Sequence, residues 1–130
     1  MGKDFYFRDP SSVSASPGFT WGRSGTVTDG TWLLNDTGPA NKSGRRNFLS
    51  GAEVIKVFVS SEVIATFDVE VYEHTGIGTE VLLDTVSVVA KRSDDFSTSI
   101  SLTTGKELSV KIANGTATNP QVGLIIIGKL

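Results

Sequence analysis

The chain of 130 residues is long enough for one domain, and its formal net charge of −2 argues against a general nucleic-acid binder. It has no cysteine and one histidine, His74, which excludes disulfide bonds, thiolate metal sites and a cage of several histidines. Valine, isoleucine and threonine number 14, 8 and 14, and these β-branched residues favour strands. The composition therefore predicts an all-β protein.

The first 30 residues differ from the rest of the chain. Serine, glycine and proline are frequent there and no regular period is visible, which is typical of an extended segment. We expect residues 1–30 to form an N-terminal arm that binds a neighbouring subunit, or alternatively to pack on their own domain. The aromatic side chains of this arm need a surface against which they are buried: Phe5, Phe7, Phe19 and Trp21.

The remaining residues, 31–130, form the predicted domain. Apolar and polar residues alternate most clearly from Ala65 to Glu73, which predicts a strand with one buried face. Turn residues divide the domain into about eight short strands at a spacing of roughly 8–12 residues. The predicted strands are 31–35, a short segment at 47–50, 53–60, 65–73, 79–90, 96–102, 108–113 and 122–127, and the main predicted turns are 36–46, 74–78, 91–95, 103–106 and 114–115.

This spacing predicts an antiparallel two-sheet sandwich, and among such folds we prefer a jelly roll to an immunoglobulin-like topology. The Cys-Trp-Cys pattern of antibody domains is absent. The alternation also predicts the core, which consists of Val57, Phe67, Val69, Val71, Val86, Val88, Ile100, Leu102, Val110, Ile112 and Leu124.

The sequence contains no enzyme signature, so we expect no catalytic activity, cofactor or metal. His74 stands beside Thr75 and Gly76, which predicts an exposed residue at a hairpin tip, and no G-x-S-x-G motif accompanies it. The Gly105-Lys106 pair lacks the rest of a phosphate-binding loop. The best carboxylate pair, Asp94-Asp95, consists of neighbours whose side chains point to opposite faces of a strand.

A local basic cluster contains Lys42, Arg45 and Arg46. It predicts either a binding site for phosphate, an anionic glycan or an acidic subunit surface, or a loop with solvated charges. Residues 1–52 carry six basic and four acidic residues (+2), and residues 53–130 carry six and ten (−4). This difference is either ordinary scatter in a small sample or a sign that the front of the chain lies against an acidic neighbour, such as the same domain in another subunit. We accordingly predict that the partner-binding residues are Phe5, Phe7, Phe19, Trp21, Arg45 and Arg46.

Aromatic side chains could instead bind sugars by stacking. The candidates are Trp21, Trp32, Tyr6 and Tyr72. Tyr72 lies on the polar face of its predicted strand and is expected to be exposed, whereas Trp32 is followed by two leucines and is expected in the core. A carbohydrate-binding adhesion domain that recognises host glycans therefore remains an alternative.

Two parts of residues 30–130 resemble small β-sandwich proteins of tailed bacteriophage virions, such as capsid decoration (cement) proteins and modules of fibres or tails. The resemblance implies an oligomeric, non-catalytic jelly roll bound to other virion subunits. It rests on Gly30-Thr31-Trp32-Leu33, Asn41-Lys42-Ser43-Gly44-Arg45 and Val54-Ile55-Lys56-Val57, and near the end on Leu108 to Ala117, Asn119-Pro120 and Leu124 to Gly128.

We therefore expect a virion structural protein, foremost a decoration protein that stabilises the capsid by binding the major capsid protein. A fibre or tail module is the alternative within this class. The residues after Met1 form no apolar signal-peptide core, and no apolar run reaches the roughly 18 residues of a membrane span. We expect synthesis in the host cytoplasm without a signal peptide, no membrane or nucleic-acid partner, and assembly as a homo-oligomer.

Overall fold

The computed structural model describes residues 20–35, 45–46, 51–76 and 78–128. Within these ranges the protein is all-β and antiparallel, as the sequence predicts, and none of the described residues forms a helix that could cross a membrane. The strands are β1 (Thr20–Gly22), β2 (Thr26–Val27), β3 (Thr31–Trp32), β4 (Leu34–Asn35), β5 (Arg45–Arg46), β6 (Glu53–His74), β7 (Val81–Ser101), β8 (Glu107–Ala113), β9 (Ala117–Thr118) and β10 (Gln121–Ile127).

The described strands form one main sheet and one small one. The main sheet has the order β3-β8-β6-β10-β1-β4, with β5 beside β8 and β7 beside β6, and the small sheet pairs β2 with β9. The main sheet is nearly closed, like a barrel. Strand β6 makes this possible because its first half pairs with β10 and its second half pairs with β8.

Strands β6 and β7 run through two regions where the sequence predicts breaks. The predicted gap at residues 61–64 is part of β6, and the predicted turn at residues 91–95 lies inside β7, so both predictions are wrong. Ser60 pairs with Ser93 and Ala65 pairs with Lys91, so the four intervening residues of β6 face Arg92 alone. Such a bulge bends a strand without ending it.

The predicted core is confirmed at all eleven positions, each of which is buried. Burial alternates along β10 and along the second half of β6, as expected of strands with one face towards a core. The described core also contains Trp21, Leu33, Leu108 and Val122. Leu33, rather than Trp32, is the fully buried member of its segment.

The described part of the predicted arm belongs to the domain. Strand β1 lies between β10 and β4, and the Gly30 amide donates a hydrogen bond to the Ile112 carbonyl. Trp21 is 0 % exposed in the core of its own chain. Residues 20–30 therefore pack on their own domain, which is the alternative stated for this segment, and residues 1–19 lie outside the described residues.

The predicted turn at Asn114 and Gly115 is confirmed, and both residues have positive φ angles, of 52° and 157°. The Asn114 amide donates a hydrogen bond to Asp29 Oδ1 at 2.8 Å. A Cβ atom on Gly115 would lie 2.2 Å from the Thr66 carbonyl oxygen. Glycine is required here because the turn passes directly against the backbone of β6.

Candidate functional site

The residues predicted to bind partners do not come together in the described structure. Phe5, Phe7 and Phe19 lie outside the described residues, and Trp21 is a core residue. Residues Arg45–Arg46 lie in the predicted loop at 36–46, but they form strand β5, whose backbone pairs with Leu108 and Glu107 of β8. The outer face of the main sheet instead presents three features that could carry function.

The first feature contains His74, which the sequence predicts as an exposed hairpin residue. This prediction is wrong, because His74 is 2 % exposed and is the last residue of β6, paired with Glu107. Its Nε2 shares a hydrogen bond of 2.6 Å with Ser109 Oγ, and its Nδ1 lies 3.7 Å from Glu107 Oε1. The local signal for a bend after His74 is correct, but the strand continues one residue further than expected.

Ser109, His74 and Glu107 contact one another as the nucleophile, base and acid of an acyl-transfer triad do. However, Ser109, which would be the nucleophile, is inaccessible. Ser109 is 0 % exposed, so its Oγ cannot reach a substrate carbonyl while the sheet is intact. Ser109 and His74 instead link strands β8 and β6 by a buried hydrogen bond. We interpret this group as structural.

The second feature is an aromatic pair on the same face. Trp32 and Tyr72 meet edge to face with their ring centroids 5.0 Å apart, and the Lys111 ammonium lies 5.0 Å from the first centroid and 4.9 Å from the second. The Tyr72 hydroxyl donates a hydrogen bond of 2.7 Å to Glu70, which also lies 3.8 Å from Lys111. The sequence predicted the polar face of Tyr72 but not its contact with Trp32.

Burial raises the pKa of the Tyr72 phenol, and the hydrogen bond to Glu70 raises it further. Lys111 acts in the opposite direction but does not cancel these effects. Because the lysine ammonium already lies against both rings, the pair forms a satisfied cation–π group that connects three strands.

The third feature is an open groove of about 590 Å³ on the outer face of β1, β10, β6 and β7. Phe58 forms one wall and is 40 % exposed, and it pairs with Gly123 on one side and Asp95 on the other. The next row across the same strands consists of Gln121, Ser60 and Ser93. The sequence does not predict this groove, because its residues come from segments that are far apart along the chain.

The carboxylates at the edge of the groove are each close to a lysine. Asp95 lies 3.7 Å from Lys56, and Lys91 donates a hydrogen bond of 3.1 Å to Asp94. This hydrogen bond holds the pKa of the Asp94 carboxyl below its usual value. The described residues contain no group of three or more side chains that could hold a metal ion.

Exposed apolar side chains are concentrated on β7 and on the bend of β6. Val81 and Leu82 are about half exposed at the start of β7, and Val89 is 62 % exposed near its middle. Val63 and Ile64 are exposed in the β6 bulge.

Searches of protein-family models, curated proteins and solved structures find no match to this chain.

Proposed function

We propose that the chain is a non-catalytic structural protein of a tailed-bacteriophage virion, foremost a decoration protein that binds the capsid through protein–protein contacts. The virion setting comes from the sequence resemblance, and the mode of binding comes from strand β7. In this proposal the strands follow a jelly-roll path, the chain forms a homo-oligomer, and its main partner is the major capsid protein.

The observation that supports a role in assembly is the edge of β7 that no other described strand covers. This strand has 21 residues, and it pairs only with β6 among the residues that the structure describes. The unpaired peptide groups of a long edge strand are a template for a strand of another chain. Val81, Leu82 and Val89 add exposed apolar surface along the same strand.

Five of the six predicted partner-binding residues keep a role in this proposal. Phe5, Phe7 and Phe19 would add apolar contacts with a neighbouring subunit, and Arg45 and Arg46 would face acidic groups there. Trp21 is excluded because it is buried in its own domain. A fibre or tail module would use the same edge, with another virion protein as the partner.

The test compares two charge substitutions on β7. Leu82→Lys places an ammonium on the proposed contact, whereas Ser87→Lys places the same charge at an exposed polar position of the same strand. Purified protein is mixed with capsids from a phage whose genome lacks the coding sequence, and the bound fraction is measured by co-sedimentation. Circular dichroism checks that both variants fold.

We expect the wild type and Ser87→Lys to sediment with the capsids and Leu82→Lys to remain in the supernatant. Equal binding of the two variants would refute the proposed edge. Failure of the wild type to bind capsids, together with its absence from purified virions by immunoblot, would refute the virion function itself.

A further inference from the structure

We propose that the groove beside Phe58 binds a neutral oligosaccharide, with one sugar ring packed against the phenyl ring. This binding site goes beyond the assembly role, and it uses residues that differ from the exposed apolar residues of β7. Gly123 forms the floor of this groove.

Gly123 lies in β10, which is flanked by β1 and β6, and a glycine in the interior of a strand is destabilising relative to alanine. Neither conformation nor packing requires it. Its φ is not among the positive values, and the one atom of the described residues within 4 Å of a Cβ there would be the Phe58 Cβ, at 4.0 Å. A glycine of this kind indicates a backbone that another group approaches closely.

The phenyl ring of Phe58 does not fill the space over this glycine. In a sheet, an aromatic side chain can cover a glycine on the neighbouring strand. Here no ring atom of Phe58 lies within 4 Å of the position that a Gly123 Cβ would occupy. Among the described residues the space above the glycine is therefore open, and Phe58 stands beside it as a half-exposed wall, with the Lys56 ammonium 5.7 Å from the centre of its ring.

The rest of the groove supplies hydrogen-bonding groups on both sides of the ring. Asp95 continues the row of Phe58, and the side chains of Gln121, Ser60 and Ser93 form the row beside it. Together they offer hydroxyl and amide groups, which both donate and accept hydrogen bonds, and a carboxylate, which accepts them. A sugar ring has the matching chemistry, with an apolar C–H face and a rim of hydroxyl groups.

The charges favour a neutral sugar over a cationic side chain of a partner protein. Asp94 and Asp95 each have a lysine ammonium within 4 Å, so a guanidinium would have to compete with an existing ion pair. A neutral hydroxyl can accept from the lysine or donate to the carboxylate without displacing either. An acidic sugar would likewise have to compete with the two carboxylates for the lysine ammonium groups.

The groove has room for more than one sugar ring. Its volume lies within the range of about 300–1,000 Å³ that is usual for ligand sites. A second groove of about 730 Å³ shares Thr20 and Gln121 with it and continues past Asn35 and Asn119. The side chains of Asn35 and Asn119 are already hydrogen-bonded within the protein, so the extension consists of adjoining space rather than of further binding groups. This space favours an oligosaccharide over a single sugar.

The test uses the full chain and a printed array of neutral, sialylated and sulfated oligosaccharides, followed by an amide chemical-shift titration with the best binder. We expect neutral glycans to bind and to shift the Gly123 amide signal. Phe58→Ala should weaken binding roughly tenfold or more, as loss of an anchoring contact does. Phe58→Tyr, which keeps the ring, should bind nearly as well as the wild type.

Two further variants separate the groove from general effects on stability. Gly123→Val fills the floor with a residue that suits strands, so it should remain folded and lose binding. Leu82→Ala removes an exposed apolar side chain outside the groove and should bind normally. Because Leu82 tests capsid binding and Phe58 tests glycan binding, failure of either proposal is distinguishable from failure of the other.

Two outcomes would overturn the glycan site. In one, no neutral glycan on the array binds. In the other, a tri-arginine peptide shifts the Gly123 amide signal whereas no oligosaccharide does, and the groove would then be a contact for a basic protein segment.

Discussion

His74 and Ser109 are joined by a buried hydrogen bond of 2.6 Å between the outer faces of two neighbouring strands. Both residues lie on the outer face of the sheet, at positions where the sequence predicts side chains exposed to solvent. The link fastens the end of β6 to β8, close to the hairpin that leads into β7. Its contribution to stability can be measured directly.

Ser109→Ala should lower the free energy of unfolding by about 1–3 kcal/mol, because it removes a hydrogen-bond partner from a buried imidazole. The measurement is urea unfolding followed by circular dichroism. Ser87→Ala, at an exposed position of β7, should change stability by less than about 0.5 kcal/mol. If both substitutions have the same small effect, the buried link does not stabilise the sheet.

The predictable parts of this fold depend on local pattern. Strict alternation of apolar and polar residues identified the core, including Phe67 and Val69, because side chains on a strand alternate between its faces. The end of β6 could not be located in this way. Whether the strand includes His74 depends on its pairing with Glu107, which is 33 positions away and invisible to a local pattern.

For a related reason, the sequence does not predict that β6 and β7 continue through residues 61–64 and 91–95. Charged residues at 91–95 are typical of a turn, but they are also tolerated on an edge strand that faces solvent. The register shift between Ser60 and Ala65 is a property of the pair of strands, so neither sequence segment reveals it alone. The groove was missed likewise, because Phe58 and Gly123 meet only through the pairing of β6 with β10.

Gly115→Ala should be strongly destabilising. An added Cβ would lie 2.2 Å from the Thr66 carbonyl oxygen and 2.9 Å from the Phe67 Cα, both of which are backbone atoms that cannot move cheaply. We expect a loss of about 4 kcal/mol or more, in the range reserved for severe strain. Thermal unfolding measured by circular dichroism should show a large fall in Tm.

Gly105→Ala is the matched control for this substitution. Gly105 also has a positive φ, of 86°, but a Cβ there would meet nothing within 4 Å. The cost should be limited to backbone strain of about 1–2 kcal/mol. Similar losses at the two positions would contradict the close approach of the Gly115 turn to β6.

Tyr72 should make stability depend on alkaline pH. The folded state holds the phenol proton more tightly than the unfolded chain, in which tyrosine titrates near its ordinary pKa of 10.0. The resulting stabilisation is therefore complete below pH 10 and is lost as the pH rises through the higher pKa of the folded state. Glu70 and Lys111 are the charged groups in contact with the phenol.

The measurement compares urea unfolding of the wild type and Tyr72→Phe at pH 9 and pH 11. The variant cannot ionise at this position, so the wild type should lose more stability than the variant between the two values. A parallel loss in both proteins would mean that the phenol has the same pKa in the folded and unfolded states.

Removal of the N-terminus should have different effects according to where the deletion ends. Deletion of residues 1–25 removes β1, which separates β10 from β4, and with it Trp21, whose loss from a core typically costs about 3–5 kcal/mol. We expect this variant to lose cooperative thermal unfolding.

Deletion of residues 1–18 spares β1 and the described core, so this shorter deletion should unfold cooperatively. It should bind capsids less well, since it lacks Phe5 and Phe7. Cooperative unfolding of the longer deletion would show that β1 is dispensable, and undiminished capsid binding by the shorter deletion would exclude those two aromatics from assembly.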